Sequence, residues 1–315
     1  MKKDSETEYV EKGMSEATYH IPVMLEQAIE GLNINPNGVY VDLTFGGGGH
    51  SRAILDKLSN EGELYAFDKD EDAIQNTIND ERFCLIHDDY SNVSKNLRLY
   101  RKTKVNGILA DLGISSHQID EVLRGFSINK TAPLDLRMDR RTSLTAADII
   151  NTYDKEQLKQ IFKEYAEVSN AGFLADRIVR QREQKAIGTT SDLVEIMRPL
   201  ALKGRENKYF AKVFQALRIE VNDEIRNLEK MLAQCEDLLV SGGRLVVISY
   251  HSLEDRLVKN VLRSGNIKGE IQKDFFGAVI SPYKVITRKP LEATEEEQER
   301  NSRSRSAKMR VGEKI

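Results

Sequence analysis

Four short runs of β-branched and aromatic residues, each separated from the next by a helical stretch, constrain this chain more than any other feature. They are VYVDLTF (Val39 to Phe45), ELYAFD (Glu63 to Asp68), FCLIH (Phe83 to His87) and GILADLG (Gly107 to Gly113). Helical patterns start near His50 and Glu71 and cover Val93 to Tyr100. Strands fed by crossover helices predict a parallel sheet with right-handed connections and a ligand crevice at the strands' carboxyl ends. After Gly113 about a hundred residues read as loops and amphipathic helices, with no comparable strand before Arg244. A long helix with apolar face Ile219, Ile225, Leu228, Leu232, Cys235 and Leu239 then leads through a Gly242-Gly243 turn into RLVVIS. The expectation is an α/β fold whose sheet domain is discontinuous, 19–113 and 218–315, around a mostly helical insertion at 114–217. A further helix opens at Ser252 with Asp255 as its capping-box partner, KVITR and SAKMRV supply late strands, and the polar residues 1–18 read as a disordered arm.

With 315 residues, 40% of them hydrophobic, the chain can bury a sizeable core. No apolar run reaches the ~18 residues that span a bilayer, and the N-terminal segment lacks the apolar stretch of a secretory signal. A cytoplasmic protein without a membrane partner is expected. Cys84 and Cys235 lie on apolar-periodic stretches and read as buried thiols. The net charge of −3 means that any nucleic-acid binding must come from local patches. Two suggest themselves: Arg124, Lys130, Arg137, Arg140 and Arg141 against two acids, and a tail holding Arg300, Arg303, Arg305, Lys308, Arg310 and Lys314 against two more.

Between the first strand and the next helix lies DLTFGGGGH, Asp42 to His50. Glycines there let the backbone approach a ligand, and the helix start offers unpaired N–H groups. The dinucleotide spacing Gly-x-Gly-x-x-Gly fails, because the sixth position is Ser51 counted from Gly46 and Arg52 counted from Gly47. The pattern Asp-x-Gly-x-Gly-x-Gly of S-adenosylmethionine enzymes fits at Asp42, Thr44, Gly46 and Gly48, with Thr44 in place of the first glycine. Asp68 ends the second strand 20 residues after Gly48, where a carboxylate can accept both ribose hydroxyls of an adenosine; a solvated strand-end aspartate is the plain alternative. The third strand leads to Asp88, Asp89 and Tyr90, whose ring could cover an adenine, and the fourth to Asp111.

The segments YHIPVMLEQAIEGL, DLTFGGGGHS, DLGISSHQID, RGFS, PLDLRMD, FQALRIEVNDE, GGRLVVISYHSLEDR and NSRSRSAKMRV together resemble the RsmH (MraW) family of ribosomal RNA methyltransferases, from Tyr19 to the C-terminus. The resemblance implies a Rossmann-like class I S-adenosylmethionine-dependent methyltransferase that modifies the exocyclic N4 of one cytosine in the decoding region of 16S rRNA, in the small ribosomal subunit. It also implies cofactor contacts from Gly48, Gly49, His50, Asp68, Tyr90, Asp111 and Gln118. Four places depart from the family pattern: His117 where proline is usual, Tyr250 where phenylalanine is common, and the insertion segments beginning at Tyr165 and Lys208.

The sulfonium of such a cofactor is already activated, so the difficulty is the nucleophile, an amine conjugated into its ring. An acceptor on the N–H eases attack, which makes Asp111 the candidate acceptor. Tyr250 or Phe126 would be the wall on which the base stacks. His251 is a candidate general base, and equally reads as a helix cap beside Glu254, Asp255 and Arg256. Arg137 and Arg140, flanking Met138 and Asp139, are candidate phosphate or base contacts. His20 and His50 have no third residue at ligand spacing, so no metal is expected. The competing readings are a methyltransferase for DNA or protein, an RNA-binding assembly factor with a decayed cofactor site, and an NAD oxidoreductase disfavoured by the glycine spacing. A homodimer is a candidate assembly.

Overall fold

Aliphatic and aromatic residues that are buried on both faces build the centre of a parallel sheet, as they must where helices cover both sides. Its first strands are β1 (Val39–Asp42), β2 (Glu63–Asp68), β3 (Phe83–His87) and β4 (Val105–Asp111), preceded or joined by α1 (Leu25–Leu32), α2 (Gly49–Leu55) and α3 (Val93–Leu99). The computed structural model describes residues 22–315, and the arm expected at 1–18 lies outside the described residues. After β4 come α4 (Ser116–Asp120), α5 (Ala146–Thr152), α6 (Lys155–Glu164), α7 (Ala171–Arg182), α8 (Thr190–Met197), α9 (Glu206–Asn222) and α10 (Glu224–Leu238). The chain then re-enters the sheet as β5 (Leu239–Ser249) and continues through α11 (Ser252–Ser264), a ribbon β6 (Gln272–Lys273) and β7 (Val279–Ile280), β8 (Tyr283–Val285), β9 (Leu291–Glu292), α12 (Glu295–Arg300) and β10 (Lys308–Lys314).

The sheet runs β3-β2-β1-β4-β5-β10-β8, with β9 added to β10; the first five strands are parallel and β10 is antiparallel to both neighbours. This is the Rossmann-like α/β class that the alternating pattern predicts, and the antiparallel β10 beside β5 departs from the 3-2-1-4-5-6 order of dinucleotide enzymes. Strand order reverses between β1 and β4, which places the crevice beyond Asp42 and Asp111. One apolar cluster, with Leu228, Leu232, Val258 and Leu262, lies on one face of the sheet, and another, with Met24, Ala28, Leu32 and Ile54, lies on the other. A third, including Ile149, Leu158, Phe162, Leu174, Leu193 and Leu217, gathers α5 to α9 around a centre of their own. Reciprocal capping boxes at Thr145/Asp148, Asp154/Gln157 and Thr189/Asp192 start three of those helices.

Four local expectations are corrected. The long helix is two: Asp223 adopts φ 51° and ends α9, so Ile219 belongs to the preceding helix, Leu239 already belongs to β5, and the limit drawn at 217/218 falls inside α9. No glycine or proline marks that break; a bidentate Arg218–Glu224 pair at 2.8 and 2.9 Å spans it. Gly242 and Gly243 lie within β5 at a register shift against β4, a bulge and not a turn. The stretch from Glu71 is a 3₁₀ helix of six residues, capped by Asp70. His251, not Ser252, caps α11, while Asp255 faces Arg310 at 2.6 and 3.0 Å.

Candidate active site

The loop after β1 is fastened by its own polar side chains. Asp42, fully buried, accepts from Ser51 Oγ at 2.6 Å and from the Thr44 amide at 3.1 Å, and burial pushes its carboxyl up. Thr44 accounts for its own departure from the glycine pattern, because its hydroxyl accepts the Asp111 amide at 2.7 Å and ties the loop to β4. Gly46 and Gly48 take φ 51° and 76°, and a Cβ at Gly48 would strike the Phe45 ring at 2.8 Å. Asp68 accepts the amides of Gly46 and Asp70, both at 2.8 Å. Burial raises its carboxyl to about 6 against those hydrogen bonds.

These groups open onto a crevice of ≈ 780 Å³ at the carboxyl end of the sheet. Asp111 lies on its wall. The Tyr250 hydroxyl donates to Asp111 Oδ1 at 2.7 Å, and burial is the main cause that raises the Asp111 carboxyl to about 6. His50 sits at 3.9 Å from Oδ2, but its Nε2 faces the Val23 carbonyl at 3.1 Å and must carry the proton, so Nδ1 turns a lone pair toward Asp111. Burial holds His50 below the usual histidine range, in keeping with a neutral ring. Tyr90 lines the same crevice, its phenol pushed well up by burial and by Asp89, Glu224 and Glu254.

Deeper in the crevice stand three residues that the sequence did not single out: Arg218, Glu224 and Glu254. Glu254 accepts the Tyr250 amide at 2.9 Å, and burial, which would raise it, is outweighed by His251, Arg218 and that amide, so its carboxyl is held low. Glu224, His251 and Glu254 bring three ligand-type atoms within 4.8 Å of one another. Both oxygens of Glu224 are taken by Arg218, so the guanidinium already supplies the counter-charge that a cation would. Motif segments FQALRIEVNDE and YHSLEDR carry all three residues, which was the available signal.

Several candidate residues have other tasks. Gly48 and His251 are not among the crevice-lining residues; His251 Nδ1 accepts the Glu254 amide at 3.4 Å and caps α11, and Nε2 lies 3.1 Å from Glu254 Oε1. Gln118 is buried and spends its side chain on Asp70 at 2.5 Å and on the Ser115 amide at 3.0 Å. Phe126 packs on the insertion's core with its ring 6.0 Å from Arg124 Cζ, leaving only Tyr250 of the two stacking candidates in the crevice. Arg137 is committed to Asp135 at 2.8 Å and to the Thr142 carbonyl at 2.7 Å, whereas Arg140 remains exposed near the rim, 3.6 Å from Glu71. Both predicted basic patches shrink, since Arg124 and Arg310 are buried against Asp70 and Asp255.

Charge decides which ligand class suits the crevice. Asp68, Asp70, Asp72, Asp88, Asp89, Asp111, Glu224 and Glu254 line it, while its Lys69, Arg218 and Arg303 are paired with Asp89, Glu224 and Asp120. Such a wall repels a pyrophosphate and favours a cationic group. Asp68 at the end of β2 and the open backbone at Gly47, where a Cβ would meet nothing within 4 Å, leave room for an adenosine-bearing sulfonium.

The chain is similar to known proteins over nearly its whole length. "Ribosomal RNA small subunit methyltransferase H" of Phocaeicola vulgatus is 50% identical over 303 residues, covering 96% of this chain and 100% of that one. The protein of the same name from Cytophaga hutchinsonii is 52% identical over 298 residues, 94% of this chain and 99% of its own. A solved rRNA methylase of Streptococcus thermophilus aligns with 92% of this chain and 93% of its own at 15% identity and a TM-score of 0.37. Among the described residues no helix is long and apolar enough to cross a membrane. Residues 17–315 match the MraW methylase family, and the chain belongs to that family.

Proposed function

We propose that this methyltransferase modifies the exocyclic N4 of a cytosine in the decoding region of 16S rRNA, with S-adenosylmethionine as donor. The observation that carries the reading is Asp111 itself: a half-buried carboxylate at the β1/β4 switch point, oriented by the Tyr250 hydroxyl and the Thr44-tethered backbone. When bound, the cofactor supplies a methyl group on a sulfonium that needs no further activation. Asp68 would hold the ribose hydroxyls, Tyr90 would flank the adenine, and the backbone of Gly46, Gly47 and Gly49 would line the methionine end, all of them residues of the crevice wall. Asp111 Oδ2 accepts an N4–H of the target base and draws that nitrogen toward tetrahedral geometry, after which the surplus proton leaves through the carboxylate. Tyr250 fixes Oδ1 and offers its ring to the extruded base. The substrate is the small ribosomal subunit or its RNA.

Transfer of labelled methyl to small subunits and, separately, to naked 16S rRNA tests this, with nucleoside analysis of the product. N4-methylcytidine is the expected label; label on a different base or polymer would overturn the assignment.

The reaction needs Asp111 ionised. With its carboxyl at about 6, activity falls tenfold per pH unit below that point and is flat above it. In Tyr250→Phe the lost hydrogen bond removes a cause that lowers this pKa, so the acid limb moves to higher pH. A profile of kcat/KM against pH for both proteins reads this; coincident acid limbs would remove Asp111 from the role.

A further inference from the structure

The ribbon β6–β7 is an isolated two-stranded pair that projects its turn into solvent. Asp274 builds that turn: its side chain accepts the amides of Phe276 and Ala278, both at 2.9 Å, and its own amide donates to the Ala278 carbonyl at 2.9 Å. Gly277, at φ 84°, completes the reversal. The result is a fixed tip carrying Phe275 and Phe276, 97% and 90% exposed, edge to face with centroids 5.6 Å apart. Ile271, Val279 and Ile280 extend the exposed apolar surface below them. Two large aromatic side chains held in water on an ordered turn mark a binding surface.

Charge around the tip identifies the partner. Arg263, Lys268, Lys273, Lys284, Arg288 and Lys289 are all exposed in this stretch, against Glu270 and Asp274, and Asp274 is turned into its own loop. Of the six, Lys284 alone makes an ion pair among the described residues, to Glu313 at 3.6 Å. In a chain of net charge −3 this is a cationic stretch that carries two exposed aromatic rings. Stacking faces beside cations suit unpaired nucleotides, whose bases stack and whose phosphates pair.

The ribbon is remote from the chemistry. β8, which follows it, pairs with Gly312–Lys314, of which Gly312 and Glu313 lie opposite Leu245 and Arg244, where the unbroken pairing of β5 with β4 begins. Asp111 and Ser249 stand at the other end, about 17 Å away for five residues of strand at roughly 3.3 Å each, before the ribbon's own reach is added.

We propose that the Phe275–Phe276 ribbon is a second RNA-binding site, which stacks unpaired nucleotides of the rRNA substrate on its two rings and engages their phosphates with Lys268 and Lys273. This rests on the reading that the substrate is ribosomal RNA. The test is a Phe275→Ala/Phe276→Ala protein, whose removed side chains touch almost nothing and whose melting and S-adenosylhomocysteine affinity should match wild type. Retention of 16S rRNA on filters reads binding without turnover, so the site is decided even if no RNA becomes methylated. Affinity for long rRNA should fall about tenfold or more, KM should rise by the same factor at constant kcat, and a short stem-loop bearing only the target base should be handled as before. Lys268→Gln/Lys273→Gln should flatten the salt dependence of the same binding. Unchanged affinity for long rRNA, an equal loss on the short stem-loop, a loss seen only with assembled subunits and hence with a ribosomal protein, or a change of oligomeric mass would each overturn the proposal.

Discussion

Replacing Asp111 by asparagine should lower kcat by about 10²–10⁴-fold while leaving S-adenosylmethionine affinity within a few-fold of wild type. The substitution keeps the shape and can keep an oxygen for the Tyr250 hydroxyl at 2.7 Å, so the crevice wall stays in place. What disappears is the negative charge that accepts the N4–H and carries the proton away. Burial, which raises this carboxyl to about 6, also means that the asparagine protein gives up no buried ion pair, because His50 is neutral with its lone pair facing Asp111. Single-turnover kinetics together with calorimetric binding of the cofactor separate the two quantities. Turnover at the wild-type rate with cofactor bound would show that Asp111 is a wall and not an acceptor.

Arg124→Met should destabilise the protein by about 3–5 kcal/mol, lowering the melting temperature by roughly 6–20 °C. Arg124 is 2% exposed and joins two parts of the chain: it donates to Asp70 at 2.8 and 3.1 Å, to Asp72 at 2.7 Å, and to the carbonyls of Arg137 and Met138 at 3.0 and 2.9 Å. Burial alone would raise the Asp70 carboxyl, and the hydrogen bonds from Arg124 and Gln118 overcome it and hold it low. Methionine fills the space but leaves that carboxylate without its counter-charge. Asp70→Asn placed on top of Arg124→Met should therefore recover a large part of the loss, a coupling that a double-mutant cycle measures. Strictly additive losses would mean that the pair is incidental. Because Asp70 and Asp72 flank the crevice, the single variant should also weaken cofactor binding.

What could be read in advance divides along a physical line. Strand-end carboxylates such as Asp68 and Asp111 are fixed by periodicity, since a strand's last residue must face the crevice of a parallel sheet. Pairings across the fold are not so fixed. Arg124 and Asp70 are 54 positions apart, and Arg310 and Asp255 are 55 apart; a count of charges by segment assigned both arginines to the surface, where each is in fact buried against its aspartate. The α9–α10 break failed for a related reason, because Asp223 enters the left-handed region to suit a bidentate pair and not a glycine signal. His251 shows the converse, where the candidate base and the cap are one residue of a short motif and the structure shows that residue capping α11.

The route of the chain through β5 bears on how the protein is made. Asp111 at the end of β4 takes its neighbour Ile248 only after α4 to α10 have been synthesised. Until then the nascent sheet β3-β2-β1-β4 ends in a hydrophobic strand with unpaired backbone, an invitation to non-native pairing. Helices α5 to α9, with an apolar centre of their own, can condense during that interval. Closing the loop to seat β5 is then the late, entropically costly event, so slow refolding and aggregation from dilute denaturant should trace to the β4–β5 seam.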